Sequence, residues 1–149
     1  MTDILVGNNE LGLRSARAEV SSARILVVED FAPFRQFVCE ELLQRPGLQV
    51  VSEASDGIEA VQEALELKPD LIIMDIGLPS LNGIEAARQI LKLIPNSKII
   101  FVSQESSDDI VQAAMDLGAS GYVVKTKAGS DLAVAVETVI SGEKFVSTV

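Results

Sequence analysis

Five residues in this sequence combine reactive side chains with a shared context: Glu29, Asp30, Asp75, Ser103 and Lys125. Each follows the end of a short apolar run, namely Ile25-Leu26-Val27-Val28, Leu71-Ile72-Ile73-Met74, Ile99-Ile100-Phe101-Val102 and Tyr122-Val123-Val124. Three carboxylates brought together disfavour one another's ionisation unless a cation neutralises them. The chain has no histidine and one cysteine, Cys39, which excludes imidazole or thiolate metal sites and Ser-His or Cys-His nucleophiles. A metal here is therefore held by oxygen, which suits a hard cation such as Mg2+. A carboxylate is ionised at neutral pH and needs no base to attack phosphorus. Lys125 and the Ser103 hydroxyl would supply positive charge and a hydrogen bond to the oxygens of a phosphoryl group. Each residue also has a plain structural alternative: Asp30 or Asp75 as a cap or turn residue, Glu29 solvated, Ser103 in a turn, Lys125 on the surface.

These residues share one site only if the elements before them share one sheet edge. From Arg24 onward, short apolar runs alternate with stretches of helical period, the pattern of repeated βα units. A first helix begins at Pro33, with Phe34, Phe37 or Val38, and Leu42 on its stripe. Asp56-Gly57-Ile58-Glu59 and Asn82-Gly83-Ile84-Glu85 each read as a cap followed three residues later by an acid. The helices they open show stripes of Ile58, Val61 and Leu65, and of Ile84, Ala87, Leu91 and Ile94. Ser106-Ser107-Asp108-Asp109 caps a fourth helix that buries Ile110, Ala114 and Leu117. A fifth, over 129–141, presents Leu132, Val136, Val139 and Ile140. Five successive βα units predict a five-stranded parallel sheet with helices on both faces. In the order 2-1-3-4-5, the direction changes between the first and third strands, and Glu29, Asp30 and Asp75 surround one crevice at that point.

A chain of 149 residues fits one domain with a full core. Residues 1–22, broken by Gly7, Asn8, Asn9 and Gly12, read as an N-terminal extension with a short helix over 15–20, and residues 23–149 as the domain. Twelve basic against 22 acidic residues give a net charge of −10, which repels both a nucleic-acid backbone and an anionic membrane surface. No direct nucleic-acid binding and no membrane association are expected. The amino terminus lacks a basic segment followed by a long apolar run, so a cytoplasmic setting is expected. The first βα turn carries neither G-x-G-x-x-G nor G-x-x-x-x-G-K, which disfavours dinucleotide or nucleoside triphosphate binding. Cys39, near the first helical stripe, reads as a small packed residue.

Taken in order, Val27-Val28-Glu29-Asp30, Pro69-Asp70-Leu71-Ile72-Ile73-Met74-Asp75, Leu78-Pro79 with Gly83, Ser103, and Gly121-Tyr122-Val123-Val124-Lys125 resemble the receiver domain of bacterial two-component response regulators. The run Ala119 to Lys125, with Gly142-Glu143-Lys144-Phe145-Val146-Ser147, is most similar to the NarL-like branch. The resemblance implies a flavodoxin-like α/β fold that is a phosphoacceptor, not an enzyme. It implies Asp75 as phosphoacceptor, and Mg2+ organised by Glu29, Asp30, Asp75 and the backbone carbonyl of Gly77. Ser103 and Lys125 are the implied phosphoryl contacts, and Ser103 and Tyr122 the implied switch pair. The implied partner is a sensor histidine kinase, with a homodimer through the fourth helix, fifth strand and fifth helix. A helix-turn-helix output domain is expected in the full-length protein, making the output transcriptional. Three positions depart from the usual pattern: Gln104 in place of a small residue, expected to modulate the reaction rate, Thr126 in place of Pro, and Glu29 in place of the commoner Asp. The competing readings are a phosphorylation-independent interaction module and a haloacid dehalogenase-type phosphatase. The phosphatase needs a second acid two residues after Asp75, where this chain has Gly77.

Overall fold

A computed structural model of the chain describes residues 22–148; the short helix expected over 15–20, with most of the 1–22 extension, lies outside the described residues. The elements are β1 (Ala23–Val28), α1 (Ala32–Leu43), β2 (Leu48–Ala54), α2 (Gly57–Leu67), β3 (Leu71–Met74), α3 (Gly83–Leu93), β4 (Lys98–Ser103), α4 (Asp108–Leu117), β5 (Gly121–Val124), α5 (Ala128–Ile140) and β6 (Phe145–Val146). A 3-10 turn over Lys125–Lys127 joins β5 to α5. The sheet runs β2-β1-β3-β4-β5-β6, and every neighbouring pair is parallel.

Successive side chains of a strand point to opposite faces, so an unbroken apolar run must be covered on both. Leu26, Val28, Ile72, Met74, Ile99, Phe101, Tyr122 and Val124 form one core with Ala60 and Ala64 of α2, Ala86, Ala87 and Ile90 of α3, and Ala114 of α4. Ile25, Val27, Leu71, Ile73, Ile100, Val102 and Val123 form the other with Val38 and Leu42 of α1 and Leu132, Val136 and Val139 of α5. The caps form as the sequence suggests: Asp56, Asn82 and Ser107 accept the backbone N–H groups of Glu59, Glu85 and Ile110.

The structure revises one helical stripe, adds Ala86 and Ile90 to another and adds a strand to the sheet. Of the expected α2 stripe of Ile58, Val61 and Leu65, only Val61 packs against the core. Ile58 is 49 % and Leu65 38 % exposed, while Gly57, Ala60 and Ala64 face the core. In α3, Ala86, Ala87 and Ile90 are buried, and Ile84, Leu91 and Ile94 flank them half-buried. The cause in both is close packing: α2 lies against the start of α3 and its approach, where only small residues fit. A Cβ on Gly57 would lie 1.8 Å from the Leu81 carbonyl oxygen, and one on Gly83 2.1 Å from that of Asp75. The sheet also gains a sixth strand beside β5, too short to carry a period. The Phe145 N–H donates to the Ser120 carbonyl at 3.1 Å and the Ser147 N–H to that of Tyr122 at 2.9 Å. The buried Ser147 hydroxyl donates to Asp131 Oδ2 at 2.7 Å and accepts the Val124 N–H at 3.2 Å.

The crowded glycines yield a stability prediction. Gly83→Ala should lower unfolding stability by about 1–3 kcal/mol, because the new methyl must displace the Asp75 backbone. Gly129→Ala, in α5 with nothing within 4 Å of the added carbon, should be neutral or stabilise by up to about 1 kcal/mol. Urea midpoints at unchanged m-value measure both.

Candidate functional site

Sheet register decides which strand ends meet. Val28 is level with Met74, Met74 with Phe101, and Phe101 with Tyr122. Glu29 and Asp75 are therefore each one residue past the same line on adjacent strands, while Ser103 and Lys125 lie further along their own. The Asp75 N–H donates to the Val28 carbonyl at 3.0 Å, and the Glu29 N–H to that of Ala54 at 2.9 Å, so both acids are fixed by backbone before their side chains are considered. After Asp75 the chain turns at once: the Gly83 N–H donates to the Ile76 carbonyl at 2.7 Å and closes the β3–α3 loop over the strand end.

Together the strand ends form a cleft of about 450 Å³ lined by all five candidate residues and by Phe31, Ile76, Gly77, Gln104 and Glu105. Glu29 and Asp75 are buried, at 3 % and 8 % exposure, and Asp30 is exposed at the mouth. One oxygen from each of these three carboxylates lies within 4.8 Å of the others, close enough to hold a single ion. Lys125 reaches in from β5, its Nζ 2.8 Å from Glu29 Oε1 and 3.3 Å from Asp75 Oδ2. The remaining oxygens are also engaged: Glu29 Oε2 accepts the Phe31 N–H at 3.0 Å, and Asp75 Oδ1 accepts the N–H of Ile76 at 2.8 Å.

The electrostatics follow from burial. Burial pushes the Glu29 carboxyl above its ordinary value, against the opposing pull of Lys125 and the Phe31 N–H. Burial works against the Lys125 charge too, but the Glu29 hydrogen bond and the Asp75 charge outweigh it and raise the amine above its usual range. Three carboxylates facing one ammonium leave an excess of negative charge in the cleft. Oxygen donors at this spacing with that charge fit a divalent hard cation, and no soft ligand is present to favour another.

Ser103 is buried, and its Oγ accepts the Glu105 N–H at 3.1 Å. Tyr122 is fully buried, and its hydroxyl donates to the Glu105 carbonyl at 2.7 Å; burial also raises the phenol's pKa. The two residues singled out from the sequence thus hold the same loop residue, one by its N–H and one by its carbonyl. Gln104 is exposed on the cleft wall between Ser103 and Glu105. Cys39 is half-buried against the second core, and burial pushes its thiol up to about 11, in keeping with a packing role.

Several participants had no sequence signal. Arg35 of α1 donates to the Glu29 carbonyl at 2.7 Å and to Glu53 Oε1 at 3.1 Å, linking the acidic strand end to β2. The Phe34 ring lies under Lys125, with Nζ 4.8 Å from its centroid. Glu105 takes part through its backbone alone, which residue type cannot announce. A clue existed only for Phe34, four residues after Asp30 on the inner side of α1; its partner lies almost a hundred residues away in sequence.

Comparison with known proteins agrees with this geometry. The family described as the response regulator receiver domain matches residues 25–137. The chain is 39 % identical over 102 residues to the chemotaxis protein CheY of Thermotoga maritima, a match covering 68 % of this chain and 84 % of that one. It is 36 % identical over 120 residues to the transcriptional regulatory protein LiaR of Bacillus subtilis, covering 80 % of this chain and 57 % of LiaR. The chain spans little more than half the length of LiaR and similar curated regulators that it matches. A crystal structure of a LuxR-family two-component response regulator from Aurantimonas sp. SI85-9A1 superposes with a TM-score of 0.80 at 34 % identity, covering 83 % of this chain and 89 % of the other. With the matched segment spanning β1 to most of α5 and the acidic cleft at its strand ends, the chain belongs to the response regulator receiver domain family, on its NarL-like branch.

Proposed function

We propose that Asp75 is the phosphoacceptor of this receiver, and that a sensor histidine kinase supplies the phosphoryl group. The observation that carries the reading is the position of the Asp75 carboxylate, buried between two further acids and a lysine in a cleft open to solvent. In the proposed step an Asp75 oxygen bonds to phosphorus as the bond from phosphorus to the donor's imidazole nitrogen breaks, and that nitrogen keeps the electron pair. Lys125 turns from the Asp75 oxygen towards the incoming phosphoryl oxygens. Ser103, whose oxygen now accepts a backbone N–H, offers its own proton to the same group. Glu29, Asp30, Asp75 and the Gly77 carbonyl would hold Mg2+, which when bound supplies charge neutralisation for the transferred group. The chain acts as a phosphoacceptor and not as a turnover enzyme.

On the same reading, Ser103 and Tyr122 are the switch. A Ser103 side chain that turns to the phosphoryl group drops the Glu105 N–H, and the Tyr122 hydroxyl on the carbonyl of that residue is freed to follow. Gln104, beside them on the cleft wall, modulates the rate. Residues 23–149 constitute the receiver and 1–22 an extension. The changed face, α4, β5 and α5, forms a homodimer. In the full-length protein the output is transcriptional, a reading supported by the similarity to LiaR, a transcriptional regulatory protein. No described helix is long and apolar enough to cross a membrane, which is in keeping with a proposed cytoplasmic setting.

Three tests follow. With Mg2+ and acetyl phosphate, intact-mass spectrometry should find one added phosphoryl group, absent in Asp75→Asn. Gln104→Ala should take up phosphate severalfold faster. Uptake in Asp75→Asn equal to the parent would overturn the site, and no uptake in either would favour the phosphorylation-independent interaction module. The second test concerns pH. Glu29's raised pKa means that the fold binds its proton more tightly than the unfolded chain does. Its contribution therefore falls as pH rises past the ordinary glutamate value, and the ionised-state penalty is complete above the raised folded value. Bound Mg2+ offsets that penalty and competes with the proton. At a hundredfold excess over Kd, Mg2+ should stabilise by about 2.7 kcal/mol at neutral pH, a rise in Tm of roughly 5–10 °C. The rise should shrink markedly at pH values near the ordinary carboxylate range. In the third test, light scattering should show a mass increase to the dimer on phosphodonor treatment, and an unchanged monomer would refute the dimer.

A further inference from the structure

Lys125 carries three N–H donors, and two of its surroundings are the carboxylates of Glu29 and Asp75. A further side is closed by Phe34, whose ring centroid is 4.8 Å from Nζ, within the range of a cation–π contact. The ring is well fixed. Pro33 begins the first turn of α1, the Phe34 N–H donates to the Phe31 carbonyl at 3.1 Å, and Phe37 packs against the ring at 5.6 Å between centroids. Arg35, the next residue along α1, does not compete for it, because it is committed to Glu53 and to the Glu29 carbonyl. We propose that Phe34 is a positioning residue for phosphoryl transfer, holding the Lys125 ammonium at the cleft through its ring face while the oxygens that Lys125 contacts change.

The physical basis is the difference between the two kinds of contact. A carboxylate holds an ammonium along a fixed direction and is itself altered when Asp75 is phosphorylated, since its charge is then replaced by that of the phosphoryl group. An aromatic face attracts a cation without specifying a direction in the ring plane and contains no acceptor that would retain a proton. Lys125 can therefore swing from Asp75 Oδ2 to a phosphoryl oxygen without leaving the ring. The ring also covers one side of the ammonium from water, which strengthens its remaining interactions.

The proposal rests on Asp75 as phosphoacceptor, so its test needs a readout independent of phosphate uptake. Phe34→Leu keeps an apolar side chain but loses the aromatic face, and Phe34→Tyr keeps the face. With 13C-labelled lysine, the Lys125 ε-methylene protons should be shifted upfield by the ring in the parent and in Phe34→Tyr, and not in Phe34→Leu. Initial uptake from acetyl phosphate with Mg2+ should fall roughly fivefold in Phe34→Leu and stay within about twofold of the parent in Phe34→Tyr, with thermal melts showing all three folded. A Leu variant with parental uptake, or a Tyr variant as slow as the Leu variant, overturns the proposal. Normal parental uptake with an unshifted Lys125 overturns it alone, whereas a parent that takes up no phosphate overturns it together with the Asp75 reading.

Discussion

The site depends on one electrostatic constraint: two buried carboxylates, Glu29 and Asp75, meet at adjacent strand ends and share one ammonium, Lys125. Burying like charges together is costly unless each is paired and hydrogen-bonded. Here the cost is limited by the backbone. The N–H groups of Phe31 and Ile76 satisfy the oxygens that Lys125 does not reach, and the parallel ladder delivers those groups to the same edge of the sheet. The remaining excess of negative charge faces the cleft. Oxygen donors so arranged fit a divalent cation, which would offset that excess.

Much of this was legible in the sequence because it is local. An apolar run of three or four residues stopped by a charged or hydroxyl side chain marks both a buried strand and the chemistry at its end, and Glu29, Asp75, Ser103 and Lys125 were readable on those grounds. The caps at Asp56, Asn82 and Ser107 were readable for the same reason, since cap and recipient are three residues apart. Packing between helices was not. Ile58, Val61 and Leu65 look like the inner stripe of α2 by size, yet Ile58 and Leu65 are exposed, Val61 only flanks the core, and Gly57, Ala60 and Ala64 take the inner side. Apolar periodicity reports a direction only when large residues win the core, and here small ones do. Contacts that join distant segments, such as Phe34 with Lys125 and Ser147 with Asp131, leave no local mark at all.

The loop after β4 connects the two halves of the cleft's far wall. Glu105 is held through its N–H by Ser103 and through its carbonyl by Tyr122, so one residue, through the two peptide groups that flank it, couples a side chain at the cleft to one in the core beneath α4. A coupled pair of this kind tends to behave as two discrete arrangements and not as a graded series, because releasing one bond leaves a buried polar group that must find another partner. The ring of Tyr122, packed 6.5 Å from that of Phe101, sets the volume that any alternative arrangement must fill.

The sixth strand has a consequence for how the molecule meets its own copies. Without it, β5 would present a line of open backbone donors and acceptors, a template on which another chain could build amyloid-like or domain-swapped contacts. Phe145–Val146 occupies that line for only two residues, and the Ser147 hydroxyl closes the next N–H, at Val124. The segment thus acts as a gatekeeper: it leaves an edge too short to propagate a sheet.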